Sequence, residues 1–179
     1  GLLAKRHGLN ASDDVDAILV QLPLPKQLDE ARIIRAVAPA KDVDGFHPLN
    51  AGELYLARPA IVSATPLGVM ALLAEHHVEL DGARAVVIGR SAIVGKPVMN
   101  LLQQANATVT LCHSHTKDLA RHTLEADVLV AAVGVPALVS PAMVKQRPVA
   151  VTVAMNRTDA VLVGDVEHRA PGQRRGPRV

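Results

Sequence analysis

Residues 83–97 read ARAVVIGRSAIVGKP. An apolar run of strand length ends at Ile88, a short loop carries Gly89, Arg90, Ser91 and Gly95, and helical spacing takes over near Val94 and continues to Ala105. A diphosphate sits well at such a strand–glycine–helix junction. Glycine admits close approach of a backbone, and a helix N-terminus offers free N–H groups with about half a positive charge. The spacing here is Gly-x-Ser-x-x-x-Gly and not the usual Gly-x-Gly-x-x-Gly. From the loop alone, a nucleotide cradle and a plain tight turn both stay open.

Working outward, strand-length apolar runs alternate with helical stretches. Strands are expected over residues 83–88, Thr108–Cys112, 127–133 and 149–155, and helices over 67–77, 94–105 and 116–125. The first of these helices opens on Thr65-Pro66, an N-cap followed by proline at the first helical position. This alternation implies a parallel sheet with helical crossovers, an α/β fold of Rossmann-like type over residues 65–166. Upstream, residues 15–21 (VDAILVQ) predict a buried strand, 22–25 a proline-broken loop, and 28–38 (LDEARIIRAVA) a helix. Residues 40–59 read as a long loop rich in turn formers, and such loops are usually functional. Residues 1–64 read as a separate α/β unit, and 167–179 as an Arg/Gly/Pro-rich tail.

The 179 residues suit one domain or two small ones. With 49% hydrophobic and 20% charged residues, disordered, collagen-like and coiled-coil classes fit poorly. Phe46 and Tyr55 are the only aromatics, which counts against a stacking platform for single-stranded nucleic acid. The net charge of +2 is too small for a nucleic-acid footprint, and Arg169, Arg174, Arg175 and Arg178 in the tail offer at most salt-sensitive, nonspecific contact. No nucleic-acid or membrane partner is expected, since no stretch approaches the ~18 apolar residues of a membrane span. A lone Cys112 favours a reducing compartment, hence the cytoplasm. The opening GLLAKRHGLN has neither an initiator Met nor a signal peptide's apolar segment, so the chain reads as a piece of a longer one.

In an NAD site, the strand after the phosphate-loop helix ends near an acidic residue that holds the ribose hydroxyls. Here that strand runs into His113, Ser114, His115 and Thr116, with no carboxylate. Arg90 and Ser114 suit a 2′-phosphate instead, which favours NADP. The His113-x-His115 pair is not expected to bind metal, because alternating residues at a strand end face opposite ways and a third ligand is lacking. Residues 126–136 (ADVLVAAVGVP) supply a third strand, placing Gly134 and Pro136 at the same carboxyl edge, where open α/β sheets bind ligands.

VIGRSAIVGKP, TVTLCHSHT and ADVLVAAVG, preceded by ILVQLPLP, KDVDGFHPLN and ATPLGV, resemble the bifunctional methylenetetrahydrofolate dehydrogenase/methenyltetrahydrofolate cyclohydrolase family, in order from about Ala17 to Val166. The resemblance implies a folate-binding domain over 1–64, an NADP-binding domain over 65–166, an active site between them, and a homodimer. The implied chemistry is oxidation of 5,10-methylenetetrahydrofolate to the methenyl form and its hydrolysis to 10-formyltetrahydrofolate. By position, Val20, Gln21 and Leu22 resemble the strand end lining the folate pocket, and Asp44 the carboxylate that holds the pterin ring. Gln21 and Asp44 are thus the expected catalytic residues of this chain. Gly89, Arg90, Ser91, Val94, Gly95, Ser114 and Gly134 resemble cofactor contacts, with Met155 near the nicotinamide-side loop. On the residues alone, Asp44 reads more readily as a turn former before Gly45, and Gln21 as a strand end.

The sequence departs from the family at both ends. The family's catalytic Tyr-x-x-x-Lys lies upstream of every match. Tyr55 is followed by Leu56, Ala57 and Arg58, and the six lysines (Lys5, Lys26, Lys41, Lys96, Lys117 and Lys145) hold no matching position. Little or no turnover is therefore expected of this polypeptide alone. Thr152 and Ala154 replace the family's Asp and Gly, and after Val166 the Pro-Gly-Gly-Val-Gly-Pro loop gives way to EHRAPGQRRGPRV. Such a switch suggests a shifted or truncated reading frame, which the coding DNA beyond Val166 tests. Two alternatives stand beside the enzyme: a non-catalytic NADP-binding, dimerising remnant, and an unrelated NADP reductase of the shikimate-dehydrogenase type.

Overall fold

Four short strands rich in β-branched residues form one parallel sheet: β1 (Arg84–Ile88), β2 (Thr108–Cys112), β3 (Val128–Ala131) and β4 (Val149–Thr152), in the order β2-β1-β3-β4. The computed structural model describes residues 8–58, 61–145, 149–153, 155–157 and 162–166. The chain divides into two compact units, Gly1–Ala64 and Thr65–Val179, and the sheet belongs to the second.

Both sheet faces are covered, which is why these strands read as continuous apolar runs and not as alternating ones. One side of the pleat (Ala85, Val87, Val128, Val130 and Val151) packs on Val69 and Leu73 of helix α3 (Ala64–Glu75) and on Val98 and Leu102 of α4 (Gly95–Gln104). The other side (Val86, Ile88, Cys112 and Leu129) meets Leu119 of helix α5 (Leu119–Leu124) and Val139, Met143 and Val144. The register sets Ile88 opposite both Cys112 and Ala131, and Ala131 opposite Thr152. All four strands therefore finish level, and the loops after them share one carboxyl edge.

Three boundaries differ from expectation. Helix α3 starts at Ala64, so Thr65 and Pro66 lie inside its first turn. Helix α5 begins late, because the Thr116 hydroxyl accepts from the His113 N–H and so belongs to the preceding turn; Asp118 is the cap, accepting from Arg121 N–H. The run over 149–155 is two strands. After Val153 donates to the Ala131 carbonyl, the chain leaves the sheet, and β5 (Met155–Arg157) pairs antiparallel with β6 (Leu162–Gly164). Gly164 permits this return, since a Cβ there would lie 2.5 Å from the Thr152 methyl.

In the first unit, residues 15–21 do not form the expected buried strand. They make one parallel bridge, Ile18 to Asp42, and Leu19 is 61% exposed. An apolar run signals a wish to be buried, but a strand also needs a ladder beside it, and among the described residues only this bridge exists. Helix α1 (Glu30–Ile34), capped by the Asp29 side chain, is shorter than the expected 28–38. Ala38 precedes proline and is extended, which ends helical geometry there. The expected loop over 40–59 contains helix α2 (Pro48–Tyr55), whose cap is the ring of His47 and whose first residue is proline. That is the same cap-then-proline signal read at Thr65-Pro66. Among the described residues, no helix is long and apolar enough to cross a membrane.

Candidate functional site

The carboxyl edge of the sheet gathers the residues singled out after β1, β2 and β3, but it uses several of them in ways the sequence did not suggest. Gly89 is buried with φ +114°, and a Cβ on it would lie 2.5 Å from the Ala132 carbonyl oxygen. A Cβ on Gly95 would lie 1.9 Å from the Gly89 carbonyl oxygen. Both glycines thus let strand, turn and helix backbones touch one another. The space spared is filled by the protein's own carbonyls.

The start of α4 differs from expectation. The Ser91 hydroxyl accepts from Val94 and Gly95 N–H at 3.1 and 3.3 Å, and the Ser91 carbonyl accepts from Lys96 N–H at 3.0 Å. Pro97 has no N–H to offer. The first turn of the helix is therefore already satisfied. Instead, the backbone N–H groups of Arg90, Ser91, Ala92 and Ile93 have no hydrogen-bond partner among the described residues, and this segment is exposed. A run of unpaired donors in a turn makes an anion-binding concavity, with the helix dipole behind it. The donors are in the loop, one turn earlier than expected.

Arg90 and Ser114 lie two residues past the same rung of the ladder, Ile88 opposite Cys112. Both are exposed, and among the described residues neither side chain has a partner. Ser114 sits in a tight turn. His113 N–H donates to the Thr116 hydroxyl at 2.8 Å, Thr116 N–H to the His113 carbonyl at 2.8 Å, and His115 N–H to His113 Nδ1 at 3.1 Å. The two imidazoles consequently meet edge to face, 6.0 Å apart, and do not face opposite ways as alternation on a strand would require. Strand β2 ends at Cys112, so that alternation does not reach them. Among the described residues, no group of three side chains suits a metal ion. Burial pushes the Cys112 thiol up, and a hydrogen bond from the Thr116 hydroxyl lowers it in part; the net shift is upward, so it stays a thiol at neutral pH.

After β3, Gly134 has φ +69° and is exposed, but its N–H and that of Val133 are both spent on the Asp165 carboxylate, at 3.1 and 2.8 Å. Asp165 is fully buried and ties this loop down. Sequence reasoning missed it. Its signal was a carboxylate placed between apolar Val163 and Val166, where only a buried partner set justifies a charge. Met155 is located by its backbone alone, opposite Gly164. The tail 167–179 lies outside the described residues.

In the first unit, the two aspartates of KDVDG do different work. Asp42 is buried and accepts from His47 N–H at 2.8 Å and from the Asn50 amide at 3.0 Å, fixing the start of α2. Asp44 is half-buried with no partner among the described residues. Burial first, then the charge of Asp42, raise its carboxyl above the usual range. Gly45 follows with φ +67°, and a Cβ there would meet the Ile61 carbonyl at 2.3 Å, so the turn bearing Asp44 is fixed by backbone packing. Gln21 is exposed, and its amide donates to the Leu22 carbonyl at 3.1 Å. Val20 and Leu22 are half-buried beside it, and the Leu22–Pro23 bond is cis.

Comparison with known proteins agrees with the resemblance. Residues 63–174 match the tetrahydrofolate dehydrogenase/cyclohydrolase NAD(P)-binding domain, and residues 1–44 match the catalytic domain of the same family. The match thus reaches beyond 17–166 on both sides. The bifunctional protein FolD of Halothermothrix orenii is 51% identical over 170 residues, which are 94% of this chain and 60% of that protein. The FolD methylenetetrahydrofolate dehydrogenase/cyclohydrolase structure from Campylobacter jejuni superimposes with a TM-score of 0.90 at 45% identity, over 93% of this chain and 60% of that one. The Trypanosoma brucei methylenetetrahydrofolate dehydrogenase-cyclohydrolase, solved with NADP and an inhibitor, gives 0.86 at 37% identity, over 92% and 59%. The chain spans about 60% of the length of the curated relatives it matches. Within that span both the sheet and the motifs agree, and the chain belongs to the tetrahydrofolate dehydrogenase/cyclohydrolase family.

Proposed function

We propose that this chain forms the nucleotide-binding part, and a portion of the folate-binding part, of an enzyme that oxidises 5,10-methylenetetrahydrofolate to 5,10-methenyltetrahydrofolate with NADP and hydrolyses that product to 10-formyltetrahydrofolate. Residues 1–64 belong to the folate side and 65–166 to the NADP side. The observation that carries this is the loop 90–93, where four N–H groups, the Arg90 cation and the Ser114 hydroxyl have no partner among the described residues.

When bound, NADP supplies the hydride acceptor. The chain's own residues bind and orient. The N–H groups of 90–93 hold the diphosphate, Arg90 and Ser114 the 2′-phosphate, and Ser91, Val94 and Gly95 keep the turn in shape, with Gly134 and Met155 on the nicotinamide side. On the folate side, the Asp44 carboxylate, without a partner among the described residues, accepts two adjacent N–H groups of the pterin, a charge-assisted pairing of the strong kind. Gln21 presents both donor and acceptor beside the one-carbon bridge. A homodimer in the cytoplasm completes the proposal; a single, buried Cys112 accords with a reducing compartment.

Calorimetric titration of the 179-residue chain with NADP, NAD and a tetrahydrofolate analogue tests it. NADP is expected to bind more tightly than NAD, and the analogue to bind as well. Asp44→Asn is expected to abolish the analogue's binding and leave NADP untouched. NADP binding without the analogue would reduce the chain to a cofactor-binding remnant, and binding of neither would sink the proposal.

A further inference from the structure

Helix α3 has twelve residues, and only Thr65 and Glu75 among them are polar. A helix that is apolar all round is ordinarily buried all round. Here Pro66, Val69 and Leu73 are buried, the last two against the sheet. Ala64, Leu67, Gly68, Ala71, Leu72 and Ala74 are exposed, Leu67 by 46% and Leu72 by 45%. Gly68 has no task inside the chain. A Cβ there would meet nothing within 4 Å, its φ is not positive, and glycine within a helix is destabilising relative to alanine. Close approach of a body from outside gives it one.

The outward face reads the same in both directions. About a point between Val69 and Met70, Leu67 mirrors Leu72, Gly68 mirrors Ala71, and Ala64 mirrors Glu75. An isologous two-fold contact needs a surface complementary to itself. Two antiparallel copies of α3 meet that condition: each Leu67 lies beside the other copy's Leu72, and Gly68 faces Ala71 where the backbones come closest. Charge agrees. The first turn of α3 carries no acid and the last no base, and Glu75 stands at the carboxyl end, where the helix dipole disfavours an anion. Among the described residues its carboxylate has no partner. In the antiparallel pair each Glu75 comes to the amino end of the other helix, where the dipole favours it.

Resting on the homodimer proposed above, we propose that the outward face of α3 is the surface through which two copies of this chain pair. Twelve residues a side fall short of the ~20–30 of a standard interface, so the dimer is reversible and depends on concentration.

Sedimentation equilibrium of the 179-residue chain tests it on wild type, Leu72→Asp, Glu75→Lys and Leu124→Asp. Leu124 is 44% exposed but belongs to α5, and serves as the control. Leu72→Asp sets a carboxylate against the other copy's Leu67 and should raise the dimer dissociation constant about thirtyfold or more, the scale of a hot-spot residue. Glu75→Lys separates pairing from a role within one chain. At the end of its own helix a lysine complements the dipole, so urea unfolding of the dilute chain should be unchanged or slightly later. Across the pair it meets the other copy's amino end and should raise the dissociation constant about threefold to thirtyfold. Leu124→Asp should leave that constant alone.

A dimer that neither α3 variant weakens overturns the inference and leaves the homodimer standing. So does a dimer that Leu124→Asp breaks and Leu72→Asp does not. Where Leu72→Asp unfolds early, Glu75→Lys decides, because it steadies the isolated helix. A wild-type chain that is monomeric at every concentration removes the homodimer, and the inference with it.

Discussion

The two edges of the parallel sheet differ in one respect that separates structure from function. At the amino edge the Asp127 carboxylate is paired. Asp127, just before β3, accepts from the Lys145 ammonium and from Arg84 N–H at 2.8 Å, with the Arg84 guanidinium at 3.7 Å. At the carboxyl edge the groups that hold the fold are paired (Ser91, Thr116 and Asp165), whereas Arg90, Ser114 and the N–H groups of 90–93 are left open among the described residues. A polar group already satisfied inside the chain is architecture. One left open beside a rigid turn is where a ligand substitutes for water.

The largest effect should come from the tightest approach at that edge. In Gly95→Ala the new methyl would stand 1.9 Å from the Gly89 carbonyl, a clash with backbone that no rotamer relieves. Overpacking of this kind costs about 1–3 kcal/mol and occasionally more, and here the upper end is expected, with NADP binding lost. A thermal melt checks it; an unchanged Tm would mean the turn is looser than described.

Next comes the contrast between the two arginines. Removing Arg90 should weaken NADP about tenfold to a hundredfold and leave Tm unchanged, because it pairs with nothing among the described residues. Arg84→Ala should leave NADP binding alone and change stability by at most about 1 kcal/mol, the worth of an exposed ion pair. Equal effects on cofactor affinity would erase the distinction between the edges. Ser91→Ala sharpens it further: Ser91 is assigned here to capping, and its loss should cost α4 about 1 kcal/mol in denaturant unfolding.

The second unit was far more legible than the first, for a physical reason. Parallel strands buried on both faces write themselves as Val/Ile/Leu runs, and β2 was read to the residue. Residues 15–21 carry the same kind of run but make a single bridge, because hydrophobicity specifies burial and not a neighbour. In the site, the residue types at 89–95 pointed to a phosphate loop, yet the sequence could not say which donors were already spent. The Ser91 hydroxyl caps a helix while its N–H has no partner among the described residues, and the structural task of Asp42 went unread beside Asp44. Asp165 went unseen because its partners, Val133 and Gly134, are backbone groups about thirty residues away.

The smallest effect concerns pH and the closed edge. The Asp127 carboxyl is held below its ordinary range, first by the hydrogen bond from Lys145 and then by that from Arg84 N–H. With a folded-state pKa below the unfolded one, its contribution to stability is fully present above the unfolded pKa and is lost as pH falls through the folded one. The Asp127 side chain is 39% exposed, so solvent screening keeps that contribution small, about 1 kcal/mol or less. Asp127→Asn should therefore unfold slightly more easily than wild type at pH 7 and no more easily at pH 2, with NADP affinity unchanged at neutral pH. Asp44 has the opposite sign: its raised carboxyl makes the folded state favour protonation, so Asp44→Asn should be neutral to slightly stabilising at pH 7. Opposite shifts in two aspartates, one paired and one open, are what separates a group the fold has used from a group it has kept free.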